Sequence, residues 1–226
     1  DLMEKELGIP VVIANDVDMG VYGEYQFGAA QESRCVLGIF PGTGIGGGCI
    51  YEGQILRGKT ASCFEIGHVQ AIPNGPLCGC GKKGCLEAVA SRLAIAAAAA
   101  AAAYRGDAPH LMQEAGTDLA NIRSGALAKS IAAGDVEIEN IVRLTASHMG
   151  RVIGSVINLL APDTVVLGGG MIEAMPDLHL EEVRKGSLET VLSSFQNSYC
   201  VVTAALGDDA TTMGAAAWAK KVLAGT

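Results

Sequence analysis

The sequence predicts an α/β fold that carries an irregular insertion held by a metal ion. Three observations lead there. Short β-branched apolar runs ending in glycine or Asn-Asp alternate with helix-length segments. Thirty glycines stand against four phenylalanines and one tryptophan in 226 residues, a composition suited to closely packed backbones. Residues 60–86 lose all periodicity, and three of the seven cysteines crowd into residues 78–85. The length is enough to bury a sizeable core in one or two domains.

In chain order, residues 9–14 (IPVVIA) read as a buried strand closed by Asn15-Asp16, and residues 17–30 as a helix with small residues on one face. Residues 34–41 form a second strand, which runs into GTGIGGG (42–48) and a hairpin around Glu52-Gly53. From Glu87 to Tyr104 the pattern is helical, and the alanine tract 96–103 has the strongest helix propensity available. Residues 107–123 are polar and carry no clear signal, whereas 124–134 and 138–160 read as helices. TVVLGGG (164–170) is a strand entering a glycine turn, 177–194 a helix, 199–206 a strand and 210–224 a closing helix. No repeat and no linker divides the chain.

Sixteen basic and 24 acidic residues give a net charge of −8, which disfavours a general surface for nucleic acid or anionic membrane. No run reads as a secretory signal or a membrane span, the alanine tract being too short and too weakly apolar. Cys35, Cys49, Cys63 and Cys200 lie scattered in apolar sequence, which fits a reducing cytoplasm better than a disulfide framework. The chain opens at Asp1 without methionine, inside what reads as the end of a helix (DLMEKELG), as a piece of a longer protein would.

Cys78, Cys80 and Cys85 form C-x-C-x4-C, with His68 ten residues upstream. Three thiolates and an imidazole suit a closed, structural tetrahedral Zn2+ site with no open position for water. Glycines 79, 81 and 84 let the backbone wrap around the ion. GTGIGGG is a phosphate cradle or simply a tight hairpin; Thr43 adds a hydroxyl donor, and neither a Walker nor a dinucleotide pattern is present. Asp16 after a strand is a helix cap or a general base, and LGGG (167–170) borders a nucleotide or is a plain turn. His148 reads as a packing histidine; His110 and His179 read as surface residues.

Taken together, IANDVDMGVYGE, GTGIGGG, FEIGH, CGCGKKGCLE, VVLGGG and ALGDDATTMGAA resemble the ROK family of bacterial sugar kinases and sugar-responsive repressors. The resemblance implies an actin-like ATPase lobe of ribonuclease H type, with residues 65–87 as its zinc-held loop. It implies Asp16 as the general base, and Asn15, Glu65, His68 and Glu87 as sugar-binding residues. Gly42, Thr43, Gly44, Gly46, Gly47 and Gly48 match a phosphate-binding loop, and Gly168, Gly169 and Gly170 a nucleotide-side turn. His68, Cys78, Cys80 and Cys85 match the zinc ligands. The implied partners are a hexose and ATP with Mg2+, in a homodimer or tetramer; the implied reaction is phosphorylation of glucose at its 6-hydroxyl. N-acetylmannosamine, N-acetylglucosamine, fructose or mannose remain alternative substrates, and a repressor with a DNA-binding segment ahead of this lobe is the alternative from another class. Two departures stand out. The Asp-x-Gly-Gly-Thr loop that opens the family's first lobe is missing, so residues 1–226 resemble the second lobe alone, which is expected to have little kinase activity by itself. Ser62-Cys63-Phe64 replace the usual small residues before EIGH, and Asp18 replaces the usual asparagine two residues after the base.

Overall fold

The structure is a computed structural model that describes residues 2–59 and 63–224. Its centre is β1 (Cys35–Pro41), whose alternating side chains are buried on both faces of the sheet. β2 (Ile45–Tyr51) returns antiparallel to it, and β3 (Gln54–Ile55) returns again through Glu52 and Gly53, both at positive φ (50° and 73°). Such paired left-handed residues match the twist of a two-residue hairpin. β4 (Thr164–Leu167) and β5 (Cys200–Thr203) lie parallel to β1, giving the order β3-β2-β1-β4-β5. An antiparallel meander joined to two parallel strands is the ribonuclease H-like arrangement of the actin-like ATPase fold.

Ten helices surround this sheet in the described residues: α1 (Leu2–Leu7), α2 (Asp16–Phe27), α3 (Leu86–Ala90), α4 (Arg92–Arg105), α5 (Pro109–Glu114), α6 (Ser124–Ala132), α7 (Val136–Leu160), α8 (Gly170–Ala174), α9 (Pro176–Leu188) and α10 (Ala210–Ala224). α2 and α10 cover one face, where Met19, Tyr22 and Trp218 bury Val36, Ile50 and Val166. α7 and α9 cover the other, where Met149, Ile153, Ile157 and Val183 bury Leu37, Ile39, Val165 and Leu167. At the α2–α10 crossing, a Cβ on Gly214 would strike the carbonyl oxygen of Met19, so this helix pair depends on the missing side chain. α4 to α8 form a satellite core around Ala99, Leu111, Ile122 and Ile138.

Several expectations change. Residues 9–14 form no strand: Ile9 and Ile13 are exposed, and no described segment pairs with them. The 87–104 helix is interrupted at Ser91, whose ψ of 158° leaves the helical region while its hydroxyl accepts from the Ala94 amide (3.3 Å) and caps α4. The unassigned 107–123 stretch holds α5, started by Pro109. His179 is a core residue whose Nδ1 lies 2.8 Å from the Met175 carbonyl, with burial lowering its pKa. By length and composition alone Leu86–Arg105 could cross a membrane; its alanine face instead packs into the satellite core.

The glutamate of α2, Glu24, is fully buried and accepts from the amides of Ala29 (2.8 Å), Ala205 (3.0 Å) and Leu206 (2.8 Å). It fixes the turn that leads into α10. Glu24→Ala would strand those amides, and the expected loss, read from chemical denaturation of the complete protein, is about 3 kcal/mol.

Candidate sugar and metal site

The N-terminus of α2 supplies the first wall. Asn15 is its N-cap, with Oδ1 accepting from the amides of Val17 (2.9 Å) and Asp18 (3.1 Å). Asp16 is the first helical residue; its Oδ1 accepts from Val17 N (3.0 Å), and its side chain is exposed. The helix terminus favours both negative charges, Asp16 and Asp18. α2 lies directly on β2 because that strand offers glycines there. A Cβ on Gly46 would reach Val17, and one on Gly48 would stand 3.0 Å from Asp18 Oδ1. Gly46 to Gly48 are therefore strand residues, not the loop the sequence indicated; the turn itself is Gly42 to Gly44.

The second wall is the segment from Phe64 to Glu87. Glu65 precedes a 3-10 turn, Ile66–His68, which presents the imidazole of His68. His68 Nδ1 lies 3.7 Å from Cys78 Sγ, and Cys80 Sγ lies 3.6 Å from Cys85 Sγ. All four ligand atoms fall within 4.8 Å of one another. Sulfurs about 2.3 Å from a tetrahedral zinc sit about 3.8 Å apart, so the cluster has the size and donor set of a closed zinc site. The wrap demands Gly84, at φ 76°, where any Cβ would run into the Ile72 carbonyl. Burial, with help from the neighbouring sulfurs, pushes the Cys85 thiol up to about 11, and a divalent cation would reverse that by favouring thiolate.

Glu87 joins this loop to the glycine turn. Its Oε2 accepts from the amide of Ile45 (3.1 Å), while Oε1 lies 3.8 Å from Cys78 Sγ. Across the turn, Arg92 donates from its backbone to Gly42 O (3.0 Å) and from Nη2 to Thr43 Oγ1 (3.1 Å). Gly168, Gly169 and Gly170 follow β4 at the same end of the sheet. A Cβ on Gly169 would stand 3.0 Å from the Pro41 carbonyl, so the two glycine turns adjoin.

A recess of about 50 Å3 lies between the walls, lined by Asn15, Val17, Asp18, Gly46, Cys63 and Glu65, with Gly47 also on its lining. Asp16 borders a different space, an apolar groove of about 350 Å3 formed with Val11, Ile13, Met19, Thr211 and Trp218. Ser62 lies outside the described residues. Sequence reasoning named Asp18 only as a departure from a pattern. Its spacing from the N-cap, three residues, is that of a capping-box acid, although its Oδ1 lies over Gly48 instead.

If the cluster holds zinc, purified protein carries one zinc per chain by atomic absorption. Cys85→Ser releases it and opens Lys82-Lys83 to trypsin; stoichiometric zinc in that variant would remove the assignment.

The model of the ROK family matches residues 1–222. The glucokinase of Thermotoga maritima is 32% identical over 240 residues, covering 100% of this chain and 70% of its own length. The crystal structure of a ROK family glucokinase from Streptomyces griseus in complex with glucose and AMPPNP superposes with a TM-score of 0.85 at 32% identity, covering 96% of this chain and 70% of that one. The DNA-binding transcriptional repressor Mlc of Escherichia coli is 26% identical over 96% of this chain and 52% of its own length. On the strand order, the two glycine turns and the match along nearly its whole length, the chain belongs to the ROK family.

Proposed function

We propose that this chain is the second lobe of a two-lobed protein that phosphorylates a hexose with ATP, glucose at its 6-hydroxyl being the substrate. The observation that carries this reading is the convergence of three elements. The α2 terminus with Asn15 and Asp18, the loop from Glu65 to Glu87 and the Gly42–Gly44 turn meet through the Glu87–Ile45 hydrogen bond and the recess under Glu65, with Asp16 following Asn15 on the edge of the separate apolar groove. The likeness to a glucokinase solved with glucose and AMPPNP supports the same reading.

In this mechanism Asn15, Glu65, His68 and Glu87 hold sugar hydroxyls. Carboxylates suit that task because each accepts more than one hydroxyl proton and selects by geometry. Asp16 accepts the proton of the attacking hydroxyl as that oxygen bonds to the γ-phosphorus. The bond from phosphorus to the bridging oxygen breaks, and ADP leaves. Backbone amides of Thr43, Gly44, Gly169 and Gly170 stabilise the phosphates, those of Gly42 and Gly168 being bonded to the Gly44 and Ile39 carbonyls, and Mg2+, when bound with ATP, would neutralise their charge. His68, Cys78, Cys80 and Cys85 would hold a structural Zn2+ that fixes the loop presenting Glu65 and Glu87.

Asp16→Asn in the complete protein is expected to bind sugar normally and to lose about 10²- to 10⁴-fold in kcat in a coupled ATP assay. Retained turnover removes Asp16 as base. A sugar panel on the same protein separates glucose from N-acetylmannosamine, N-acetylglucosamine, fructose and mannose. Sugar-dependent DNA binding without turnover would place the protein with the repressors instead. Residues 1–226 alone are expected to turn over little, since a partner lobe would complete the phosphate site.

A further inference from the structure

Three nearly buried carboxylates lie in the described residues, and the fold treats one of them differently. Glu24 and Asp135 are 0% and 2% exposed, and each is saturated. Asp135 accepts from the amides of His110 (3.3 Å) and Leu111 (2.8 Å) and from Ser130 Oγ (2.6 Å). Asp18 is 8% exposed, yet among the described residues no donor forms a hydrogen bond with its carboxylate. Trp218 Nε1 is the one buried side-chain polar atom without a partner among the described residues, so the Asp18 oxygens open into the recess with their acceptor capacity unused. Its position three residues after the N-cap would let a longer acid reach back to the Asn15 amide. Asp18 instead sends Oδ1 over Gly48 and borders the recess it shares with Asn15, Cys63 and Glu65.

The recess, about 50 Å3, has room for one or two water-sized groups. Cys63 is turned away as a donor, its thiol bonded to the Leu56 carbonyl (2.9 Å). The acceptor in need of a proton there is Asp18. We propose that Asp18 is a specificity-determining residue that accepts a hydrogen bond from one substrate hydroxyl entering this recess, selecting an unsubstituted hexose over a sugar bearing an acetamido group at that carbon. A hydroxyl fits the space and gives the carboxylate its missing donor. An acetamido group is bulkier, and its methyl would face the carboxylate. The surrounding charges agree: burial raises the Asp18 carboxyl above the ordinary range, Arg57 opposes that, and Glu65 and Asp16 add to it. An incoming hydroxyl proton relieves the same penalty. The inference rests on the sugar-kinase reading and names the substrate class for its site.

The test uses the complete protein, with glucose, its 2-, 3-, 4- and 6-deoxy analogues, N-acetylglucosamine and N-acetylmannosamine, binding read by calorimetry. Asp18→Ala is expected to weaken glucose about 10- to 100-fold, the range for losing a hydrogen bond to a charged group. One deoxy analogue should bind the unaltered protein and Asp18→Ala equally, because it lacks the hydroxyl in question. Asp18→Asn, which keeps an acceptor oxygen and the side-chain shape, should recover most of the glucose affinity. The KM for ATP should not change in either variant. Equal weakening of every analogue by Asp18→Ala, or unchanged glucose binding, overturns the inference while leaving the kinase reading intact. An unaltered protein that binds no hexose overturns the kinase reading, and the role of Asp18 with it. A preference of the unaltered protein for an N-acetylated sugar overturns the inference alone.

Discussion

The hydrogen bond from the Ile45 amide to Glu87 is the joint on which the site depends. Ile45 opens β2 directly after the glycine turn, and Glu87 opens α3 two residues after the last cysteine. One carboxylate thus fixes the distance between the loop of the His68–Cys85 cluster and the turn at the end of β1. The approach is close: a side chain on Gly44 would collide with Glu87 Oε2. Arg92 holds the far side of the turn through Gly42 and Thr43. The turn is therefore gripped from both flanks by residues of one helical run, α3 and α4, and that run is anchored in the satellite core by its alanines.

This geometry gathers negative charge. Asp18 and Glu65 line one small recess and Asp16 acts on Asp18 from close by, in a chain already at −8. Isolated in a dry interior such a set would repel itself, and each charge would be costly to bury. Three features offset this. The α2 dipole favours Asp16 and Asp18. Glu87 accepts a backbone amide. Arg57 lowers the Asp18 carboxyl against its burial.

Much of this was legible in the sequence because the carriers are local. C-x-C-x4-C with His68 upstream specifies its donors by spacing, and the hairpin at Glu52-Gly53 follows from turn chemistry. What failed was nonlocal. IPVVIA has the composition of a buried strand, but strand formation needs a neighbour, and the described residues offer none. GTGIGGG reads as a loop because glycine signals flexibility. Three of its glycines are strand residues, small because α2 and the 64–66 segment lie against them. His179 seemed a surface residue among charged neighbours, while the turn of α9 directs it inward onto the Met175 carbonyl. Asp18 was visible as a residue type, but its lack of a partner is a property of the packed site.

Phe64 shows how the departures before EIGH are accommodated. Its φ of 61° lies in the left-handed region, rare for a bulky residue and worth about 1–2 kcal/mol of strain. A glycine would adopt it freely, so the aromatic must be held there by packing. The ring rests where Gly47 leaves space, with a Cβ on Gly47 falling 2.9 Å from Phe64 Cδ1, and it packs against the main core. The ring is partly buried there, and that packing offsets part of the strain. The consequence falls on the next residue. Glu65 follows a residue whose backbone is left-handed and whose partly buried ring is packed on the core, then enters the 3-10 turn that carries His68. In this chain the aim of Glu65 is set by hydrophobic anchoring, where a glycine would have set it by backbone freedom alone.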